Sequence, residues 1–201
     1  VNTEHLFDFS QKFLDNEFPH CIEMARAFVQ PKYQSAAGGR KALFALDNLW
    51  DGIGGLIATD PTVKYLSGKV TIYSTSPEMS RKAMVFYLDM SFGDREGLIT
   101  SKNPETCTPE QIAFFKELFT GADYKENYAI LNNYVKSLGD SIPPFIHLYI
   151  GLSPTMKTFG TTFDPDFGDC YDTAMIITTD DIYPDKYKRY VESYEKCKVR
   201  K

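Results

Sequence analysis

Glu23 and Arg26 stand three residues apart in the run Cys21 to Val29, which is rich in strand formers and holds no turn residue. A carboxylate and a guanidinium so close make a structural ion pair when read alone. Strict two-residue alternation would set them on opposite faces of the strand. One bulge between them would bring both to one face, and bulges are common beside active sites. The next stretch, Gln30 to Arg40, carries Pro31 and Gly38-Gly39, so the chain turns there. From Lys41 the apolar residues Leu43, Leu46, Trp50, Ile53 and Ile57 recur at helical spacing. A glycine loop opening a helix leaves backbone N–H groups without intrahelical partners, which suits an anionic or carbonyl-rich ligand.

The remaining reactive residue types are scattered. His20 and Cys21 are adjacent rather than arranged as base and nucleophile, and His5 and His147 have no evident companion. Cys21, Cys107, Cys170 and Cys197 include no CxxC pair, and no His/Cys spacing supports zinc, so no metal is expected. The acidic run Asp164-Pro165-Asp166-Phe167-Gly168-Asp169 lacks the ligand spacing and terminal glutamate of a calcium loop and reads as a hairpin turn.

The elements that must position these residues follow from periodicity. Leu6, Phe9 and Phe13 predict an N-terminal helix ending near Asp15-Asn16. The helix from Lys41 ends in Gly52, Gly54 and Gly55; each costs roughly 0.8–1 kcal/mol against alanine, which close packing on a neighbour would explain. Val63 to Tyr73 reads as a strand with a bulge at Gly68. Ser76-Pro77-Glu78 opens a helix with Met79, Ala83, Phe86 and Met90 on its apolar face. Gly93 to Thr108 reads as a loop. Thr108 with Gln111, then Asp123 with Glu126, are capping boxes that start two aromatic-rich helices stopped by Gly121 and Gly139. Pro143-Pro144 begins a short segment. Thr158 to Phe163 and Cys170 to Thr179 are two strands, and a last helix runs from Asp185 into a basic tail.

At 201 residues, 43% hydrophobic and 24% charged, the chain can bury one sizeable core with an appended lobe. Its net charge of −5 argues against nucleic acid as a partner. Scattered cysteines suit reduced thiols in a cytoplasm. No apolar run approaches the ~20 residues of a membrane-spanning helix.

Strand, glycine loop and helix resemble the fourth strand and following helix of the GNAT acyltransferase fold. Glu23-Met24-Ala25-Arg26-Ala27-Phe28 is similar to the Glu-x-x-Arg strand of its acyl-carrier-protein-dependent branch. That branch holds acyl-homoserine-lactone synthases and the amino-acid lipid N-acyltransferases often labelled hemolysins. A second block, Ile142-Pro143-Pro144-Phe145, Tyr149, Leu152, Gly160, Asp164-Pro165-Asp166-Phe167 and Asp172, resembles the bacterial ornithine- and glycine-lipid N-acyltransferases. The implied fold is α/β, a GNAT-like mixed sheet flanked by helices. Residues 1–100 would be its core, 101–155 a helical insertion, and 156–201 a hairpin and helix completing the core. The chain begins just upstream of the fourth strand, so the first three strands are expected elsewhere, as on a fragment, a cleaved product or a partner segment. An edge left open at Cys21 to Val29 would then either dimerise or need the upstream segment for activity.

The resemblance implies transfer of a fatty acyl group from acyl carrier protein to the amine of a small amino acid such as glycine or ornithine. Glu23 would assist deprotonation of the amine. Arg26 would orient Glu23 or pair with the substrate carboxylate. Backbone N–H groups near Phe28 and Val29, where the fourth strand splays from the fifth, would polarise the thioester carbonyl. Tyr87, or Tyr73, would protonate the leaving thiolate. Gly38-Gly39 would cradle the phosphate of the phosphopantetheine arm, and Arg40, Lys41, Arg81 and Lys82 would dock the acidic carrier. Coenzyme A is the other donor. The alternatives are a GNAT-like segment that binds the carrier without turnover, and a CoA-dependent acetyltransferase. Peripheral contact with the inner membrane face fits the lipid product. Pore formation does not fit a chain without a long cationic amphipathic helix.

Overall fold

The computed structural model describes residues 3–25, 30–31 and 45–194. In chain order the described elements are β1 (Phe7–Phe9), α1 (Gln11–Asn16), a 3-10 turn (Phe18–His20), β2 (Cys21–Met24), α2 (Ala45–Thr59), β3 (Tyr65–Ile72), α3 (Glu78–Phe92), β4 (Ile99–Ser101), α4 (Pro109–Leu118), α5 (Tyr124–Ser137), α6 (Pro144–Ile150), β5 (Lys157–Asp164), β6 (Cys170–Thr178) and α7 (Pro184–Tyr190).

The main sheet has the order β2–β3–β6–β5, with β2 parallel to β3 and the other pairs antiparallel. β6 lies between two strands and is covered on both faces, which is why its sequence reads as a nearly continuous buried run. Met175 and Ile177 enter the core under the helices, while Ala174 and Ile176 enter a second core under the N-terminal segment. The predicted hairpin at the acidic turn is present, with Gly168 at φ +73° and Asp169 at φ +51° carrying the left-handed bend. A bulge between Thr158 and Thr161 places Gly160 at φ +83°. The outer side of β5 is bonded by the segment before α4: Asp94 N–H to Thr158 O (2.8 Å) and Glu105 N–H to Thr161 O (2.8 Å).

The Thr108–Gln111 box forms in full at the start of α4. At the start of α5 Asp123 caps the N–H groups of Lys125 and Glu126, but the Glu126 carboxylate accepts the Ala122 N–H rather than that of Asp123, so only half of the expected box is made. Close packing explains two glycines of α2: a Cβ at Gly54 would fall 2.0 Å from Tyr190 O, and one at Gly55 would fall 3.2 Å from the Tyr194 ring. Gly52 faces open space.

Three expectations are corrected. Phe7–Phe9 is a strand and not the first turns of a helix, because it pairs with Ile99–Ser101, and α1 starts only after Ser10 caps Phe13 N–H. β3 runs through Gly68 without a bulge, in unbroken register with both Met24 and Met175. Gly68 is required instead by a tyrosine: a Cβ there would lie 2.7 Å from the Tyr149 hydroxyl. The buried side of α3 is Ala83, Met84, Tyr87 and Leu88, and Met90 is exposed, because α3 contacts β5 as well as α4 and α5.

Candidate active site

Alternation along β2 sends Cys21 and Glu23 to the same side of the sheet, with Ile22 and Met24 packed into the helical core. On that side lies a partly open cavity of about 140 Å³. Its polar wall is Thr3, Cys21, Glu23 and Ser67; its apolar wall is Phe9, Phe13, Phe18, Ile99 and Phe159. The three N-terminal phenylalanines hold one another, with ring centroids 5.3 to 6.3 Å apart. They are brought over the sheet by β1, which is tied to β4, and by the short helix α1.

Glu23 stands opposite Ser67 in the parallel register. One of its carboxylate oxygens accepts the Thr3 N–H (2.9 Å) and the Thr3 hydroxyl (2.5 Å). These bonds aim the carboxylate along the polar wall. Sequence reasoning missed Thr3, since a contact across twenty residues leaves no spacing signature. Burial pushes the Cys21 thiol up, so it is protonated at neutral pH and poorly suited to be a nucleophile. The neighbouring His20 donates from Nδ1 to Thr62 O (3.1 Å).

Next to the cavity on the same face lies a buried ionic cluster. Lys69 Nζ is 2.8 Å from Asp172 Oδ2 and 3.9 Å from Asp164 Oδ2, Thr71 donates to Asp172 Oδ1 (2.7 Å), and His5 Nε2 is 3.5 Å from Asp164 Oδ2. Both aspartates are 1% exposed. Lys69 is therefore part of the interior and not a solvated charge, and Asp164 spends its oxygens on Lys69, His5 and the Asp166 N–H rather than on a calcium ion.

Tyr87 is not at this site. It is fully buried in the helical core, donates its hydroxyl to Tyr124 O (2.9 Å), and burial pushes its pKa up. A hydroxyl committed in this way cannot meet a thiolate. Tyr73 is exposed at the end of β3. Tyr149 on α6 is better placed. Its hydroxyl lies against Gly68, which lines the cavity and pairs with Met24, and it has no hydrogen-bond partner among the described residues. Burial pushes its pKa up as well, so it stays protonated. Trp50 meets its ring edge-on at 5.6 Å.

Arg81 and Lys82 also differ from expectation. Both converge on Glu105, at 3.0 and 2.8 Å; Lys82 donates to Thr106 O, and Arg81 lies 4.2 Å over the Tyr171 ring. With side chains 12% and 11% exposed, they are interior ion-pair partners and not docking charges. Arg26, Phe28, Val29, Gly38, Gly39, Arg40 and Lys41 lie outside the described residues.

The chain is similar to two glycine N(alpha)-acyltransferases. It is 43% identical over 195 residues to the one of Phocaeicola vulgatus, and 42% identical over 195 residues to the one of Bacteroides thetaiotaomicron. Each alignment covers 96% of this chain but only 59% and 57% of the respective relative, so the chain spans under three fifths of their length. No family model matches the chain, and no solved structure matches it. No described helix is long and apolar enough to cross a membrane.

Proposed function

We propose that this chain carries the reacting centre of an N-acyltransferase that moves a fatty acyl group from a phosphopantetheine thioester to the amine of glycine. The observation that carries the reading is Glu23, held by Thr3 at the edge of a cavity that four phenylalanines help to line. The similarity to two glycine N(alpha)-acyltransferases supports it. The mixed sheet is compatible with a GNAT-like fold in which β2 and β3 take the places of the fourth and fifth strands.

A bound acyl thioester supplies an electrophilic carbonyl and a thiolate leaving group. Glu23 takes a proton from the ammonium of glycine, directly or through water, and so frees the attacking nitrogen. Glu23 and Tyr149 flank adjacent positions of the β2–β3 ladder from opposite faces. A carbonyl lodged at the end of that ladder would meet the amine held at Glu23 and, from the helical side, the Tyr149 hydroxyl. Tyr149 then replaces Tyr87 as the donor to the departing sulfur. Arg26 binds the glycine carboxylate, and Phe28 and Val29 supply N–H groups to the carbonyl oxygen. Gly38-Gly39 with Arg40 and Lys41 receive the phosphate of the arm. The naming of both relatives as glycine N(alpha)-acyltransferases favours glycine over ornithine.

Acyl carrier protein is the donor in this reading, in a cytoplasmic setting, and coenzyme A is the competing one. Incubating the protein with acyl carrier protein or coenzyme A thioesters, and with glycine or ornithine, is followed by mass spectrometry of the products. Acylglycine formed from the carrier thioester is the expected result. Product from coenzyme A alone would move the donor assignment, and no acylated amine from any pair would overturn the reading.

A further inference from the structure

We infer that the cavity beside Glu23 is the acyl subsite and holds about the first six carbons next to the thioester carbonyl. The inference rests on the acyltransferase reading above. Its polar groups gather at β2 and β3, where Cys21, Glu23 and Ser67 meet Thr3, and its phenyl rings come from Phe9, Phe13 and Phe18 of the N-terminal segment and Phe159 of β5. The phenyl rings of the wall offer the carboxylate of glycine no hydrogen-bond donor. An acyl chain puts its carbonyl at the polar edge and its methylenes among the rings. The volume sets the length. An apolar cavity of about 150 Å³ takes a benzene-sized molecule, so 140 Å³ holds about six carbons. Longer chains leave past Phe18, which is 38% exposed at the rim. Ala174, on β6, lies at the inner wall and is 3% exposed.

The test uses non-transferable S-alkyl pantetheine thioethers from two to sixteen carbons, with binding to the full-length protein followed by calorimetry. Affinity should rise about fourfold per methylene, the equivalent of about 0.8 kcal/mol, up to about six carbons and flatten beyond. Ala174→Leu adds three carbons to the wall and should stop the rise about three carbons earlier. Phe18→Ala opens the rim and should extend it. The KM for glycine should not move in either variant. Because binding is read without turnover, failure of the acyltransferase reading would show as absent product with the chain-length profile intact. A flat profile in the wild type, or a raised glycine KM with an unchanged profile in Ala174→Leu, would overturn the inference and assign the cavity to the acceptor.

Discussion

The two faces of the main sheet are built differently. On the helical face, Leu66, Val70, Ile72, Met175 and Ile177 are covered by rings and branched side chains from α2 to α6, and the charges that enter it, Arg81 and Lys82, are paired with Glu105. On the N-terminal face a smaller cluster leaves a cavity and shares its surface with Glu23, Lys69, Asp164 and Asp172. Interiors pack to the density of organic crystals, so the cavity beside Glu23 is a place where packing is given up.

Substitutions on each face should separate stability from activity. Lys69→Met leaves the two buried aspartates without their lysine and should cost about 3–5 kcal/mol, read from denaturant unfolding. A loss below 1 kcal/mol would mean that water reaches the cluster. On the opposite face, Leu131→Ala removes a fully buried side chain and should cost about 2–5 kcal/mol while leaving the chain-length profile unchanged. Gly68→Ala sits between the faces. Its methyl would press on the Tyr149 hydroxyl, for about 1–3 kcal/mol of stability. It should also lower turnover, and Gly68→Ala/Tyr149→Phe should recover the stability but not the turnover. Recovery of both would remove Tyr149 from the chemistry.

The smallest effect belongs to Glu96 at the surface, where Lys12 and Lys157 both bond its carboxylate and hold it down at about 2. A depressed carboxylate contributes above its ordinary value of 4.5, and the contribution fades as pH falls through about 2. Glu96→Gln should therefore differ slightly from wild type near neutrality, lose that difference with salt, and match it at the acid end. A difference that persists in high salt would point to packing instead.

Local signals were legible in sequence and long-range ones were not. Thr108, Gln111, Asp123 and Glu126 announced their helices because a cap is settled within four residues. The hairpin around Asp164 to Cys170 was legible for the same reason. Phe7 to Phe9 was misread because its partner, Ile99 to Ser101, lies some ninety residues away. Gly68 looked like a bulge because the tyrosine that needs the space is on another element. Arg81 and Lys82 looked like docking charges because Glu105, which closes on them, lies more than twenty residues away. Among the residues proposed for the site, Glu23 is marked in sequence by its Glu-x-x-Arg resemblance, whereas Thr3 and the position of Tyr149 depend on how elements pack.

The central claim is that Glu23 on the cavity face acts as the base. Glu23→Gln keeps the shape of the side chain and an oxygen for Thr3, so it removes basicity with little structural change. Single-turnover acylation of glycine by the purified variant, with its unfolding curve recorded alongside, tests this directly. A rate lower by about 10²–10⁴-fold with an unchanged unfolding midpoint is the predicted result. A wild-type rate in a folded Glu23→Gln protein would contradict the account.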